Sequence, residues 1–281
     1  MINTICICGA GTMGSGIAQV SAQSGFDTIL FDVNEVVVEK AKAGIQTNLQ
    51  YLVDKQKISA EEKENIYNKI KFEKDINDCK ADAIIEAIIE KIDAKVSLFN
   101  QLAEVNNSET IFATNTSSLS VSDIQKNIFH PERVVGMHFF NPAYLMKLVE
   151  VVKGEQTNKE VALTIYDLCK QMGKAPVMCK DAPGFIVNRV ARHYYLEAMK
   201  IVEKGIATFE NVDVIMEASG FKMGPFKLMD LIGMDINLSV SQSIYEAFNK
   251  TERFKPSSLQ LEKVKNGELG RKRGKGFYQY V

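Results

Sequence analysis

Two side chains in this sequence are of the types that proton transfer at neutral pH requires. His138 lies in the apolar segment "VVGMHFFNP", and Glu150 lies between valines in "KLVEVVK". An imidazole changes its charge near neutral pH, so it can act as a general base or acid. A glutamate in a buried strand needs a partner for its charge. If the two strands are neighbours, Glu150 accepts the Nδ1–H of His138 and orients the ring; otherwise His138 is an ordinary core histidine.

Two further polar side chains lie near predicted element ends. Ser117 stands in "TNTSSLS", directly after the predicted strand "IFA", where its hydroxyl could donate to a substrate oxygen. Asn188 lies near the start of the predicted helix that follows Pro183-Gly184. A structural role is at least as simple for both: Ser117 as a helix cap or turn serine, and Asn188 as a cap or a bridge between domains. Both are candidates for substrate contacts.

A glycine cluster near the N-terminus has the spacing of a phosphate-binding loop. Gly9, Gly11 and Gly14 match G-x-G-x-x-G between a predicted strand, "NTICICGAG", and a predicted helix. Such glycines allow a tight turn, close approach of a pyrophosphate, and close packing of helix on strand. Asp32 ends the next predicted strand, where a carboxylate accepts hydrogen bonds from ribose hydroxyls and repels a 2′-phosphate. The pattern predicts NAD(H) rather than NADP(H), against the alternative of a plain glycine turn with a surface aspartate.

Two charged residues follow the apolar segment "AIIEAII", at the sheet edge where such a nucleotide would bind. Glu90 and Lys95 are therefore candidates for contacts with the nucleotide. The simpler interpretation of each, from the sequence alone, is a solvated surface charge.

Alternating strand and helix patterns predict an α/β fold for the first part of the chain. "NTICICGAG" and "DTILFDVN" flank a helical segment and form a βαβ unit. From Asn34 to about Lys71, apolar residues recur at helical spacing, and Ser59 with Glu62 forms a capping box, which predicts a helical hairpin. Later strands are predicted at "ADAIIEAII", "TIFATN", "RVVGMHFF", "LVEVV" and "APVMC", several of them apolar throughout, as in parallel sheets covered on both faces.

The strand pattern ends at Pro183-Gly184, and the remainder is predicted to be helical. Helices are expected over "FIVNRVARHYYLEAMKIVEKG" and near 209–220, 226–250 and 256–266. We therefore predict two domains, 1–183 and 184–281. The predicted fold class is α/β, a Rossmann-type doubly wound sheet with a helical hairpin insertion, plus an all-α C-terminal domain.

Composition argues against several classes of function. The 281 residues are 46% hydrophobic and 25% charged, as in an ordinary globular protein. A net charge of −1 gives no basic field for nucleic acid or an anionic membrane. No segment approaches the roughly 18 apolar residues of a membrane span, and the first strand begins too early for a signal peptide. Five cysteines without C-x-x-C pairs or a histidine cluster predict a reduced, cytoplasmic protein without a metal site.

Several segments together resemble the signature segments of the 3-hydroxyacyl-CoA dehydrogenase family. They are "GAGTMGSGIAQV", "ATNTSSLS", "GMHFFNPAYLMKLVEVV" and "KDAPGFIVNR", and the resemblance extends to the closing "GKGFYQY". It implies an NAD-dependent enzyme acting on an acyl-CoA substrate, with an active site between an NAD-binding domain and a helical domain. It also implies that the helical domain forms a homodimer, or a higher homo-oligomer.

The resemblance also implies roles for individual residues. His138 would be the catalytic base, Glu150 its orienting acid, and Ser117 and Asn188 the pair that polarises the substrate. The residues implied to lie beside NAD, in addition to the glycine loop, are Asp32, Glu90, Lys95, Ser117, Asn141 and either Lys272 or Lys275. The helical hairpin would meet CoA, and the lysine expected there has no unambiguous counterpart, since Lys40 and Lys42 are both near and the aligned position can be Ala43.

The substrate implied by the resemblance is the pair (S)-3-hydroxybutyryl-CoA and acetoacetyl-CoA, as in butyrate or butanol fermentation. Fatty-acid β-oxidation is the alternative metabolic context. Two other functions are considered. One is a β-hydroxyacid dehydrogenase acting on a free acid, which would usually carry a catalytic lysine. The other is a non-catalytic NAD-binding scaffold, which would have no need of the set Ser117, His138, Glu150 and Asn188.

Overall fold

In the computed structural model, which describes residues 1–280, an eight-stranded sheet forms the first of two compact units, Met1–Ala182. The strands are β1 (Thr4–Cys8), β2 (Asp27–Phe31), β3 (Ile70–Glu73), β4 (Ala83–Glu86), β5 (Ile111–Thr114), β6 (Val134–Phe139), β7 (Leu148–Lys153) and β8 (Ala175–Lys180). Their order across the sheet is β3-β2-β1-β4-β5-β6-β7-β8. The predicted Rossmann-type sheet is confirmed.

Helices cover both faces of the sheet and form the second unit. Those of the first unit are α1 (Thr12–Gln23), α2 (Glu35–Asp54), α3 (Ala60–Asn68), α4 (Ile92–Val105), α5 (Val121–Gln125) and α6 (Lys159–Gln171). Those of the second are α7 (Val187–Glu203), α8 (Phe209–Ala218), α9 (Pro225–Ile232), α10 (Met234–Ala247) and α11 (Ser258–Lys265). Within the described residues, no helix is long and apolar enough to cross a membrane.

Strand direction changes once within the sheet. All neighbouring pairs from β3 to β6 are parallel, whereas β7 runs antiparallel to β6 and parallel to β8. The segment 140–147 between β6 and β7 contains no helix, so the chain returns directly instead of crossing over the sheet. The apolar composition of β7 is typical of a parallel strand, because both of its faces are buried. Composition reports burial and not strand direction, so it did not predict the antiparallel pairing with β6.

The hairpin after β2 forms as predicted, but the helical pattern was extended too far. Ser59 and Glu62 make the reciprocal capping-box hydrogen bonds that start α3. Residues 70–73 then form the edge strand β3, paired with β2, and not the end of a helix. The alternation of Ile70 and Phe72 with charged neighbours is the period-two signal that the longer helical pattern obscured.

The second unit, from Pro183 onward, is helical, and one predicted helix is divided in two. Residues 226–250 were expected to form one helix, but α9 ends and α10 begins at Gly233. Gly233 has a φ of 103°, a backbone conformation that favours glycine and interrupts a helix.

Buried aspartates fix the C-terminal segment within this unit. Asp230 accepts hydrogen bonds from the backbone N–H groups of Phe277 and Tyr278, each 2.9 Å away, and from the Tyr280 hydroxyl at 2.9 Å. The hydroxyl of Tyr278 donates to Asp213 at 2.8 Å. Each buried carboxylate thus has a hydrogen-bond partner in the C-terminal segment, and Asp213 also accepts from the backbone N–H groups of Phe226 and Lys227.

Candidate active site

The glycine loop connects β1 to α1 and has the geometry that its spacing predicts. Gly9 has a φ of 103°, and its N–H donates to the Phe31 carbonyl at 2.8 Å. A Cβ at Gly9 would lie 2.6 Å from the Ala87 carbonyl oxygen, and a Cβ at Gly14 would clash with the carbonyl of Gly9. These two glycines are required by the packing of the turn.

Gly11 has a different role because it faces open space. It is the N-cap of α1, no side chain caps the helix, and a Cβ there would meet nothing within 4 Å. The first N–H groups of a helix carry partial positive charge and attract phosphate. The loop therefore fits a pyrophosphate beside Gly11.

Asp32 follows β2 and holds the loop as well as facing it. Its Oδ2 accepts from the N–H of Ala10 at 2.9 Å, and its Oδ1 accepts from the N–H of Asn34 at 2.9 Å. Each carboxylate oxygen has a second lone pair, so acceptor capacity remains for ribose hydroxyls. Its negative charge disfavours a 2′-phosphate, and the loop with Asp32 fits NAD.

His138 and Glu150 lie opposite each other on the antiparallel strands β6 and β7. The His138 Nδ1 and the Glu150 Oε2 are 2.7 Å apart, and both residues are buried, at 5% and 1% exposure. The direct return between these strands creates the register that joins them. A carboxylate on Nδ1 fixes the tautomer in which Nε2 accepts a proton, and it stabilises the imidazolium.

Glu90 organises the turn after β5 that carries Ser117. Its Oε1 accepts from the Thr116 hydroxyl, from the Ser117 N–H at 3.1 Å and from the Ser118 hydroxyl at 3.2 Å. Burial opposes ionisation of Glu90, but the charge of Lys95 and these hydrogen bonds hold its pKa below the usual range. The carboxylate stays ionised and fixes the backbone at Ser117.

Lys95 is not the solvated charge that the simpler interpretation of the sequence suggested. It is 1% exposed, and its Nζ lies 2.6 Å from the Glu86 Oε1 and 3.1 Å from the Glu90 Oε2. Glu90 is itself only partly exposed. The lysine thus joins the end of β4 to the turn at Ser117.

Glu86, the last residue of β4, was missed by the sequence reasoning. It is fully buried and also accepts from the Thr114 hydroxyl at 2.8 Å and the Ile88 N–H at 2.7 Å. Burial raises the pKa of Glu86, and the Lys95 charge offsets part of that effect. The available signal was an acid closing the apolar strand "AIIE", with a lysine nine residues later.

Ser117 is half-buried, and a different serine caps the helix that follows, α5. Ser120 caps α5 by accepting from the Asp123 N–H at 3.0 Å. Asn141 lies in the segment between β6 and β7, where it is exposed and precedes a cis-proline. Ser117 and Asn141 both follow strands of the sheet at its carboxyl edge.

The remaining candidates lie in the second unit. Asn188 is the second residue of α7 and is half-buried. Lys272 pairs with Asp235, with Nζ 2.6 Å from both carboxylate oxygens, and Lys275 pairs with Glu268 at 2.5 Å. On the hairpin, Lys42 pairs with Glu39 at 2.6 Å.

Two family models match the chain. The model for the NAD binding domain of 3-hydroxyacyl-CoA dehydrogenase matches residues 4–182. The model for the C-terminal domain of 3-hydroxyacyl-CoA dehydrogenase matches residues 184–280. The two matches meet where the two units of the structure meet.

Individual relatives agree with the family models. The chain is 44% identical, over 99% of its length, to 3-hydroxyadipyl-CoA dehydrogenase of Escherichia coli, and it spans 59% of that protein. It is 37% identical to the mitochondrial hydroxyacyl-coenzyme A dehydrogenase of Rattus norvegicus, covering 100% of this chain and 92% of the relative. The solved structure of (S)-3-hydroxybutyryl-CoA dehydrogenase from Ralstonia eutropha matches with a TM-score of 0.95 at 36% identity, covering 100% of both chains. This chain therefore belongs to the 3-hydroxyacyl-CoA dehydrogenase family, and its first unit is an NAD-binding domain of that family.

Proposed function

We propose that this protein interconverts (S)-3-hydroxybutyryl-CoA and acetoacetyl-CoA, with NAD as the hydride carrier. The observation that carries the proposal is the buried pair of His138 and Glu150, with 2.7 Å between Nδ1 and Oε2. The strands of this pair belong to the same sheet as β1, the strand that leads into the glycine loop. An acid–base pair and a nicotinamide site together are what oxidation of a secondary alcohol requires.

In the direction of oxidation, His138 removes the proton of the 3-hydroxyl group through Nε2. Bound NAD supplies the acceptor for the hydride that leaves C3. Because the proton leaves the oxygen as the hydride leaves the carbon, no full charge accumulates at C3. Glu150 stabilises the imidazolium that results. In reduction, the imidazolium returns the proton to the alkoxide oxygen.

Ser117 and Asn188 are proposed to polarise the substrate carbonyl as hydrogen-bond donors. The contacts of Glu90 support this role for Ser117, since they fix its backbone N–H and both neighbouring hydroxyls. A donor held before the substrate arrives costs less free energy to orient during the reaction. Lys95, Asn141 and one of Lys272 and Lys275 are proposed to contact NAD.

The four-carbon acyl chain is proposed on the similarity to the Ralstonia eutropha enzyme, which is named for that substrate. The Escherichia coli relative is named for a 3-hydroxyadipyl substrate, so a substrate panel decides between them. We would compare kcat/KM for acetoacetyl-CoA, 3-oxohexanoyl-CoA, 3-oxoadipyl-CoA and free acetoacetate, following NADH oxidation.

The highest kcat/KM is expected with acetoacetyl-CoA. A higher value with 3-oxoadipyl-CoA would replace the four-carbon substrate by a dicarboxylic one. Equal rates with free acetoacetate would favour a dehydrogenase of free β-hydroxyacids and would remove the need for CoA contacts on the hairpin. Binding of NADH without turnover of any of the four would favour the non-catalytic scaffold.

A further inference from the structure

Three buried cysteines meet in the first unit, although their spacing in the sequence gave no sign of a metal site. Cys6 and Cys8 are two residues apart on β1, so they face the same side of the sheet. Cys79 follows the short 3-10 helix Ile76–Asp78. The three Sγ atoms all lie within 4.8 Å of one another, and those of Cys6 and Cys8 are 3.8 Å apart. We call these residues the thiol cluster.

The thiol cluster is separated from solvent. All three cysteines have 0% exposure, and all are free thiols. On the other face of β1, Ile5 and Ile7 belong to the main hydrophobic core. Buried cysteines often serve as small apolar residues, but three sulfur atoms that meet at one point are also a ligand set for a soft metal ion.

The spacing of the sulfur atoms suits a single metal ion. Metal–thiolate bonds are about 2.3 Å long, so an ion at the centre of a sulfur triangle requires sulfur–sulfur distances of about 4.0 Å. The cluster has one such distance at 3.8 Å, and none exceeds 4.8 Å. Movements of a few tenths of an ångström would therefore complete a trigonal site.

The number and type of ligands select the ion. Structural zinc sites almost always have four ligands, and among the described residues this group has three members. Cys6, Cys8 and Cys79 have no exposed surface, so the site has no direct contact with bulk solvent. Soft sulfur ligands favour Cu(I), zinc and iron–sulfur clusters, and of these Cu(I) is the ion that three sulfur ligands alone can satisfy.

We propose that Cys6, Cys8 and Cys79 bind one soft monovalent metal ion, Cu(I), through three sulfur atoms. Binding is ligand exchange without electron transfer: copper stays Cu(I), and each thiol that coordinates releases its proton to solvent. The site is independent of the proposed hydride transfer, which uses none of the three sulfurs. It joins β1 to the 3-10 helix, so a bound ion stabilises the folded chain relative to the unfolded one.

The test loads the whole chain during refolding, because the sulfurs are not accessible in the folded protein. The chain is refolded without oxygen in the presence of Cu(I) held by a chromogenic Cu(I) chelator. Copper per chain is measured after gel filtration, and the competition with the chelator gives the affinity. Cys79→Ser removes one ligand, and Cys169→Ser is the matched control, since Cys169 is a buried free cysteine on α6 outside the thiol cluster.

One copper per chain is expected for the wild type and for Cys169→Ser, with an affinity at least about tenfold weaker for Cys79→Ser. Equal affinity in Cys79→Ser, or no retained copper in the wild type, would overturn the site. Preferential retention of zinc over copper would overturn the choice of ion.

A second measurement uses the wild type alone, in case Cys79→Ser does not fold. X-ray absorption of the copper-loaded chain is expected to show three sulfur neighbours at about 2.3 Å. Two sulfur neighbours, or a nitrogen or oxygen shell, would contradict the three-sulfur site.

Activity with acetoacetyl-CoA is measured on the metal-free protein, so failure of the copper site and failure of the proposed enzyme function are separate outcomes.

Discussion

At the scale of single residues, the proposed proton transfer depends on the buried pair of His138 and Glu150. We expect Glu150→Gln to lower kcat by about 100- to 10,000-fold, because an amide can neither stabilise the imidazolium nor hold the tautomer as a carboxylate does. The dissociation constant for NADH, measured by fluorescence titration, should change little. The control is Glu155→Gln, an exposed acid in the loop after β7. Unchanged kcat in Glu150→Gln would remove Glu150 from the mechanism.

Glu86 forms an ion pair with Lys95 at the end of β4, beside the end of β1. Glu86→Gln removes one of the two carboxylates that the structure places against the buried Lys95, and Glu90 remains. We therefore expect the free energy of unfolding to fall by about 1–3 kcal/mol. If Lys95 contacts NAD as proposed, the KM for NADH rises more than kcat falls. Urea unfolding measures the free energy of unfolding, and steady-state kinetics measure KM and kcat. The control is Glu104→Gln, an exposed acid on α4. A stability loss with unchanged KM would limit Glu86 to a structural role.

At the scale of elements, the contact of α1 with the end of β1 depends on Gly14. In Gly14→Ala the new Cβ would clash with the backbone carbonyl of Gly9, so we expect NADH binding to be lost and stability to fall. Gly44→Ala on α2 is the matched control, since its Cβ would meet nothing within 4 Å. That change should stabilise the protein by about 0.5–1 kcal/mol, because alanine is the better helix former. NADH affinity in Gly14→Ala equal to that of Gly44→Ala would contradict this account of the loop.

The turn between β5 and α5 should weaken at acidic pH through Glu90. The pKa of Glu90 is lower in the folded protein, so its contribution is complete above the unfolded pKa of about 4.3 and is lost as the pH falls through the folded pKa. The difference in unfolding free energy between the wild type and Glu90→Gln should therefore shrink from pH 7 towards pH 3. A difference that stays constant over this range would show that the carboxylate charge does not stabilise the turn.

The elements also show what periodicity can predict and what it cannot. Most strands and helices follow from the alternation of apolar residues, and β3 was missed because a helical pattern ran into it. The pairing of His138 with Glu150 was conditional, since sequence cannot say which strands are neighbours. The signal for Glu86 was only an acid at the end of an apolar strand, and Cys79 gave no signal of its own, because their partners come from other elements and meet them only in the folded chain.

At the scale of the whole molecule, we propose that the helical second unit forms a homodimer. The second unit exposes large apolar side chains on α8, where Val214 and Ile215 are 62% and 61% exposed. We expect the wild type to be a dimer by light scattering after gel filtration. The double variant Val214→Asp, Ile215→Asp is expected to be a monomer, because burying the two new charges in an interface would cost free energy. Leu163→Asp, on an exposed position of α6, is the control. A dimer that persists in the double variant would move the interface away from α8.

At the same scale, we propose that His138 transfers the proton in the reduction of a 3-oxoacyl-CoA by NADH. The most direct measurement is the initial rate of NADH oxidation with acetoacetyl-CoA, for the wild type and for His138→Ala, with NADH affinity measured on both. We expect a rapid wild-type rate that falls by at least about 100-fold in His138→Ala while NADH still binds. A variant that retains the wild-type rate would contradict the assignment of His138 as the acid and base.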